Sequence, residues 1–128
     1  MGTGTETEKR LKEELLAEIQ NLENYYAVLS SYLSGKEYDA AQVRSTLHAF
    51  KASLNRASAY LLTLYNLKGQ RIKIPWEQLF TNLDHALATM ELAPPAKLRT
   101  AVQLGLNMAE PKIEHVLSYL SNLKEFLK

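Results

Sequence analysis

Apolar residues recur at steps of three and four along most of this chain, which is the spacing of one face of an α-helix. In the first third, this pattern begins at Leu11. Thr5 followed by Glu8 fits a capping box, so we expect residues 1–6 to form a frayed lead outside one long helix. Gly35 is placed to end that helix in a left-handed turn.

The second predicted helix has the clearest apolar period in the chain. Asp39 followed by Gln42 repeats the capping pattern at its start, and Gly69 stands where it should end. Residues 70–74 are then expected to form an extended connector, because Ile74 precedes a proline. The positions predicted to be buried on this helix are Val43, Leu47, Phe50, Leu54, Ala57, Leu61 and Leu64.

Prolines divide the second half of the chain. Pro75 is expected at the first position of a third helix, and the Ala-Pro-Pro sequence at 93–95 separates that helix from the next. Pro111 allows either a kink or a new helix, because a proline inside a helix removes a hydrogen bond and clashes with the preceding turn. We favour separate or sharply kinked helices at this point.

These segments predict an all-α fold, because no stretch alternates with period two for long enough to form a sheet. We expect one domain over residues 7–128, an antiparallel bundle of four to five helices. Two long N-terminal helices and a proline-interrupted C-terminal half are its main features.

Composition excludes several classes of protein and several kinds of site. Of 128 residues, 46% are hydrophobic and 23% are charged, which excludes an intrinsically disordered chain. The absence of cysteine excludes disulfides, zinc ribbons, iron–sulfur sites and a thiol nucleophile. No apolar run is long enough for a membrane span and no signal-peptide pattern is present, so we expect a cytoplasmic protein without membrane contact.

The second predicted helix also carries a stripe of mostly small side chains nearly opposite its leucine face. The stripe consists of Ser45, Ala49, Ala52, Arg56, Ala59 and Thr63. Either it is an exposed face of high helix propensity, or it is covered by this chain or by a second copy. The tyrosines of the first helix suit an interface, and the tryptophan is expected as a core anchor or as a partner-binding residue. The candidate interface residues are Tyr25, Tyr26, Tyr32, Ala49, Ala52, Ala59 and Trp76.

The formal net charge is +1, but the charges are unevenly distributed. Residues 40–76 carry 6 basic side chains and no acidic one, whereas residues 1–39 carry 4 basic and 8 acidic side chains. The basic segment either follows a phosphate backbone, with tyrosines stacking on bases, or pairs with the acidic first helix. The candidate nucleic-acid-binding residues are Arg44, Lys51, Arg56, Tyr60, Lys68, Arg71 and Lys73.

One segment of the second helix, His-Ala-Phe-Lys-Ala-Ser at 48–53, resembles a known family. It is similar to the phosphoacceptor helix of histidine phosphotransfer domains, in which an exposed histidine is followed three residues later by a lysine and then by a glycine. The resemblance implies that His48 accepts a phosphoryl group from a response-regulator aspartate and that Lys51 helps to neutralise it. The segment departs from the family at Ala52, where the glycine leaves room for the receiver domain.

No other motif indicates catalysis or cofactor binding. Glu-x-x-His is absent, so a carboxylate-bridged metal site is not expected, and hydrolase, Walker and zinc-protease motifs are missing. We expect no metal, no cofactor and no small-molecule substrate. The sequence therefore favours a non-enzymatic helical-bundle subunit with coiled-coil-like packing, working as a homo-oligomer or with a protein partner. A small nucleic-acid-binding subunit is the alternative, and a phosphotransfer module acting through His48 is a third hypothesis.

Overall fold

The computed structural model describes residues 2–34 and 39–127, which form four α-helices and one short 3₁₀ helix. The helices are α1 (Gly2–Leu33), α2 (Ala40–Leu67), α3 (Glu77–Leu92) and α4 (Leu98–Leu127), with the 3₁₀ helix at Pro95–Lys97. This described part of the chain contains no strand. The prediction of an all-α bundle with two long N-terminal helices is confirmed.

Consecutive helices contact each other in reversed order, so that early residues of one helix meet late residues of the next. Glu8–Lys68 and Glu18–Arg56 join α1 to α2. His48–Glu91 and Ser58–Trp76 join α2 to α3 and its N-cap. Gln78–Lys112 joins α3 to α4. α1 also packs against α4, and buried apolar side chains from all four helices form a single core.

Both ends of α2 have the capping groups that its sequence predicted. The Asp39 carboxylate accepts a hydrogen bond from the backbone N–H of Ala41 (3.1 Å). Gly69 follows the helix with a positive φ of 71°, and the N–H of Gln70 donates to the carbonyl of Tyr65 (2.9 Å). All seven apolar positions predicted for the buried face of α2 are buried.

α1 begins earlier than its capping pattern predicted. Its backbone is helical from Gly2, so residues 2–6 continue the helix instead of forming a lead outside it. This stretch contains no proline, so nothing in it prevents helical backbone geometry. The side chain of Thr5 and the whole of Gly35 lie outside the described part of the chain, and the capping roles predicted for them stay predictions.

α3 begins two residues later than predicted, at Glu77. Pro75 precedes the helix, and Trp76 occupies the N-cap position, with its carbonyl accepting a hydrogen bond from the N–H of Leu79 (3.1 Å). Trp76 is outside helical geometry, with φ −121° and ψ 28°, and its indole is buried. The indole Nε1–H donates to the Ser58 hydroxyl (2.7 Å), which joins the start of α3 to α2.

α4 is a single helix that continues through Pro111, so the division into separate helices at this proline is wrong. Pro111 lies on the exposed side of α4, and so does Asn107, whose carbonyl loses its N–H partner. Water can therefore bond to the freed carbonyl. Ala109 and Ile113, on either side of the proline, are buried in the core and keep both halves of the helix packed.

Gly105 allows α4 to approach α3 closely. A Cβ atom placed on Gly105 would lie 2.9 Å from Cε of Met90 and 3.1 Å from Cβ of Ala86, closer than normal contact. The absence of a side chain at this position therefore sets the distance between the two helices. The contact fixes the α3–α4 hairpin beside the exposed apolar surface that is described below.

We expect Pro111→Ala to raise the free energy of unfolding by about 1–3 kcal/mol, because alanine restores the backbone hydrogen bond to Asn107 and removes the ring clash. Pro95→Ala is the matched control, since Pro95 opens the 3₁₀ helix, where proline costs no helical hydrogen bond. Urea denaturation followed by circular dichroism measures both variants. If Pro111→Ala were no more stable than Pro95→Ala, this account of α4 would be contradicted.

Candidate interaction surfaces

The predicted basic strip lies partly against carboxylates of this same chain. The ion pairs are Arg56–Glu18 and Lys68–Glu8 with α1, and Lys51–Asp84 with α3. Three of the six cations predicted to contact phosphate therefore have an intramolecular partner. Two of these three ion pairs are with α1. The charge pattern predicted such pairing as the alternative to nucleic-acid binding.

The other cations of the strip lie towards opposite ends of α2. Arg44 is half-buried in the second turn of α2, whereas Arg71 and Lys73 are exposed in the connector that follows it. Roughly 35 Å of helix separates these two positions at 1.5 Å per residue. Tyr60 is half-buried and packs against the core. Within the described residues, the predicted strip is therefore not a continuous cationic track.

Glu18 and Ser53 are buried polar side chains at the α1–α2 contact. Glu18 accepts hydrogen bonds from the Ser53 hydroxyl (2.9 Å), the Asn21 amide (3.2 Å) and Nη2 of Arg56 (3.3 Å). Burial acts to raise the pKa of Glu18, but these hydrogen bonds and the charge of Arg56 outweigh it, so the pKa lies below its usual value. Arg56 is thus committed to the helix contact.

Glu18→Gln should lower the free energy of unfolding at neutral pH by about 1–3 kcal/mol, because the amide cannot replace a carboxylate that accepts three side-chain donors. The pKa of Glu18 is depressed in the folded state. Its contribution is therefore complete above the unfolded-state pKa and is lost as pH falls through the folded-state pKa. The difference in stability between wild type and variant should therefore shrink as pH falls below the ordinary pKa of a glutamate and through the lower folded-state pKa of Glu18.

The matched control is Glu13→Gln, which changes an exposed carboxylate on α1. Urea denaturation from acidic to neutral pH measures all three proteins. A stability difference that does not depend on pH, or an equal loss in the Glu13 variant, would contradict the role assigned to Glu18.

His48 lies on the side of α2 that faces α3, and its side chain is 49% exposed. Its Nε2 is 3.4 Å from Oε1 of Glu91, while Lys51 pairs with Asp84. A phosphoryl group on His48 would place negative charge beside Glu91 and compete with Asp84 for the lysine. Ala52, at the position of the family's glycine, is exposed. The exposure of His48 agrees with the phosphotransfer resemblance, but its acidic neighbours weaken it.

Several aromatic residues predicted at an interface have partners inside this chain. Trp76 is buried and contacts Tyr119 edge to face, with ring centroids 5.7 Å apart. Tyr32 is buried as well. Tyr26 donates its hydroxyl hydrogen to Oε1 of Glu110 (2.8 Å), and burial together with this hydrogen bond raises its pKa to about 12. The interface role predicted for Trp76 and Tyr32 is therefore corrected, because their side chains fill the core of this chain.

The small-residue stripe of α2 is largely exposed. Ala52 and Ala59 are exposed and Ala49 is half-buried, so the described part of this chain does not cover the stripe. Tyr25, the remaining tyrosine of the predicted interface, is half-buried and packs against the core. Coverage of the stripe by a second copy stays a prediction.

A second exposed surface lies where α3 ends and α4 begins. Its members, here named the apolar corner, are Leu92, Leu104 and Met108, whose exposed fractions are 84%, 57% and 67%. Leu104 and Met108 are four residues apart and share one side of α4. Leu92 and Leu104 line the same groove of about 410 Å³, together with residues of the 93–101 segment. Leu104 therefore connects Leu92, which shares its groove, with Met108, which lies one turn further along α4.

Sequence reasoning missed the apolar corner although a signal was present. Leu104 and Met108 fall outside the core stripe of α4, which passes through Val102, Leu106 and Ala109. Apolar residues at two different faces of one helix predict that one of the faces is not occupied by the core. The position of Leu92 beside this face depends on the α3–α4 turn, which the sequence pattern does not specify.

No protein family, curated protein or solved structure matches this chain. Among the described helices, none combines the length and the apolar character that a bilayer crossing requires. Within the same residues, no group of three or more histidine, aspartate or glutamate side chains is arranged to hold a metal ion.

Proposed function

We propose that this protein is a non-enzymatic interaction subunit that self-associates through the apolar corner. The observation that carries the proposal is the joint exposure of Leu92, Leu104 and Met108 on one surface. The largest exposed apolar patch of a protein is often functional, as a site of protein contact or as a ligand-binding groove. The close approach of the helices at Gly105 supports this role, because it fixes the hairpin that presents the patch.

A second copy of this chain is the occupant that the surface suits. Leu92 is highly exposed at the end of α3 and forms part of the wall of a groove of about 410 Å³. Two copies related by a two-fold axis can each insert Leu92 into the groove of the other, since such a contact needs complementary features on one surface. Glu91 precedes the projecting leucine and Lys97 lines the groove, so the rim also offers both signs of charge.

The expected strength of this contact is modest. Fully burying three large apolar side chains on each of two copies contributes at most about 9–18 kcal/mol. Association opposes this with roughly 4–15 kcal/mol of lost translational, rotational and side-chain freedom. Because these quantities are similar in size, we expect a reversible dimer whose fraction rises with protein concentration.

Light scattering over a wide concentration range tests the proposal. The wild-type mass should rise towards that of a dimer, and Leu92→Ser should move this rise to concentrations at least about tenfold higher, because it removes the inserted side chain. Leu67→Ser is the matched control: Leu67 is 48% exposed but lies at the end of α2, away from the apolar corner. Circular dichroism checks that both variants keep their helical content.

Two results would overturn the proposal. The first is a strict monomer at every concentration. The second is a dimer that survives Leu92→Ser but is abolished by Ala52→Arg with Ala59→Arg, which would assign self-association to the small-residue stripe of α2.

Nucleic-acid binding is a weaker candidate, supported by exposed Arg71 and Lys73 in the connector, for which the described residues provide no ion pair. Adding a single-stranded oligonucleotide at low salt to the same light-scattering experiment separates it from self-association. Binding that is lost on charge reversal of both residues would favour this alternative. The cytoplasmic location expected from the sequence stays a prediction.

A further inference from the structure

A pocket opens at the end of the bundle opposite the apolar corner. It lies where the beginning of α1 meets the ends of α2 and α4, and its volume is about 510 Å³. Small-molecule sites in proteins typically occupy roughly 300–1,000 Å³ and form between the helices of bundles. The pocket is therefore large enough for a small ligand, and it shares no residue with the apolar corner.

The wall of this pocket is apolar and aromatic. Leu61 and Leu64 of α2 are buried, and Leu123 of α4 is half-buried beside them. Tyr65 and Tyr119 also line the pocket and are half-buried. An apolar group that entered here would displace water from leucine and tyrosine side chains, which favours binding of a hydrocarbon chain.

The polar part of the pocket carries a small excess of positive charge. Lys12 and Lys68 line it, and their Nζ atoms lie 3.4 Å and 3.6 Å from the same oxygen of Glu8. Among the described residues, these two cations share one carboxylate, so one positive charge is in excess. This balance favours a ligand with a single negative charge, because a phosphate dianion would encounter repulsion from Glu8 without full compensation.

We propose that this pocket binds a small amphipathic monocarboxylate of the medium-chain fatty acid type. The hydrocarbon tail packs on the leucine wall, and the carboxylate binds between Lys12 and Lys68. No sequence motif predicts this site, because the residues that line it lie on three helices and are far apart in the chain. The inference does not depend on self-association, since the two surfaces lie at opposite ends of the bundle.

Titration calorimetry with decanoate, below its micelle-forming concentration, tests the proposal together with fluorescence. Trp76 is the single tryptophan of the chain and contacts Tyr119, which lines the pocket. Decanoate should bind with a stoichiometry of one and change the emission of Trp76. Decanol should bind at least about tenfold more weakly, because it lacks the charge-assisted hydrogen bonds. The cationic decyltrimethylammonium should bind more weakly still.

The double variant Lys12→Ala with Lys68→Ala should weaken decanoate binding at least about tenfold and leave decanol binding unchanged. Both lysines are partly exposed, so the fold should tolerate the change. Lys9→Ala, which removes an exposed lysine of α1 that does not line the pocket, should have no effect and is the matched control.

Three outcomes would overturn the inference. One is the absence of both heat and fluorescence change with millimolar decanoate. Another is equal affinity for decanoate and decanol, which would reduce the site to a nonspecific apolar cleft. The third is decanoate binding that survives unchanged in the double lysine variant.

Discussion

The packing of α1 against α2 depends on a buried carboxylate. Leucine faces alone specify register weakly, because apolar contacts tolerate small displacements, whereas hydrogen bonds have strict distances and directions. Glu18 accepts bonds from Ser53 and Arg56 of α2 at a site that is almost closed to solvent. Sliding one helix by a turn would deprive this buried carboxylate of its donors from α2 and leave it only the Asn21 amide of its own helix, which is strongly unfavourable. The correct register also places Lys68 opposite Glu8.

This arrangement changes the meaning of the charge distribution. A segment with 6 basic and no acidic side chains suggests a surface for polyanions. In the folded chain, however, α1 and α3 supply carboxylates to three of these cations. Much of the apparent basic surface is therefore part of the internal electrostatics of the bundle. The large exposed apolar side chains therefore support a protein-contact function more strongly than the basic segment supports nucleic-acid binding.

Local sequence signals predicted α2 well, although the starts of α1 and α3 differ from their predicted positions. Asp39 and Gly69 marked the ends of α2, and the spacing of apolar residues identified its buried face. The separation of two helices at Pro111 is wrong because the cost of this proline depends on whether the freed carbonyl is exposed, which only tertiary structure shows. The sequence pattern also does not decide whether Trp76 lies in the core or at an interface, because its hydrogen-bond partner Ser58 lies on another helix.

The candidate sites were harder to predict because they join residues from different helices. The apolar corner combines Leu92 of α3 with Leu104 of α4, and the end pocket combines Lys12 of α1 with residues of α2 and α4. Periodicity assigns each residue to a face of its own helix but does not say which faces meet at the ends of a bundle. Only the packed structure supplies that information.

Residue-resolved NMR at increasing protein concentration tests the central claim, self-association through the apolar corner, most directly. The account predicts that chemical shifts change mainly at Leu92, Leu104 and Met108, while those of Ala52 and Ala59 stay constant. Shifts that do not depend on concentration, or changes confined to the two alanines of α2, would contradict it.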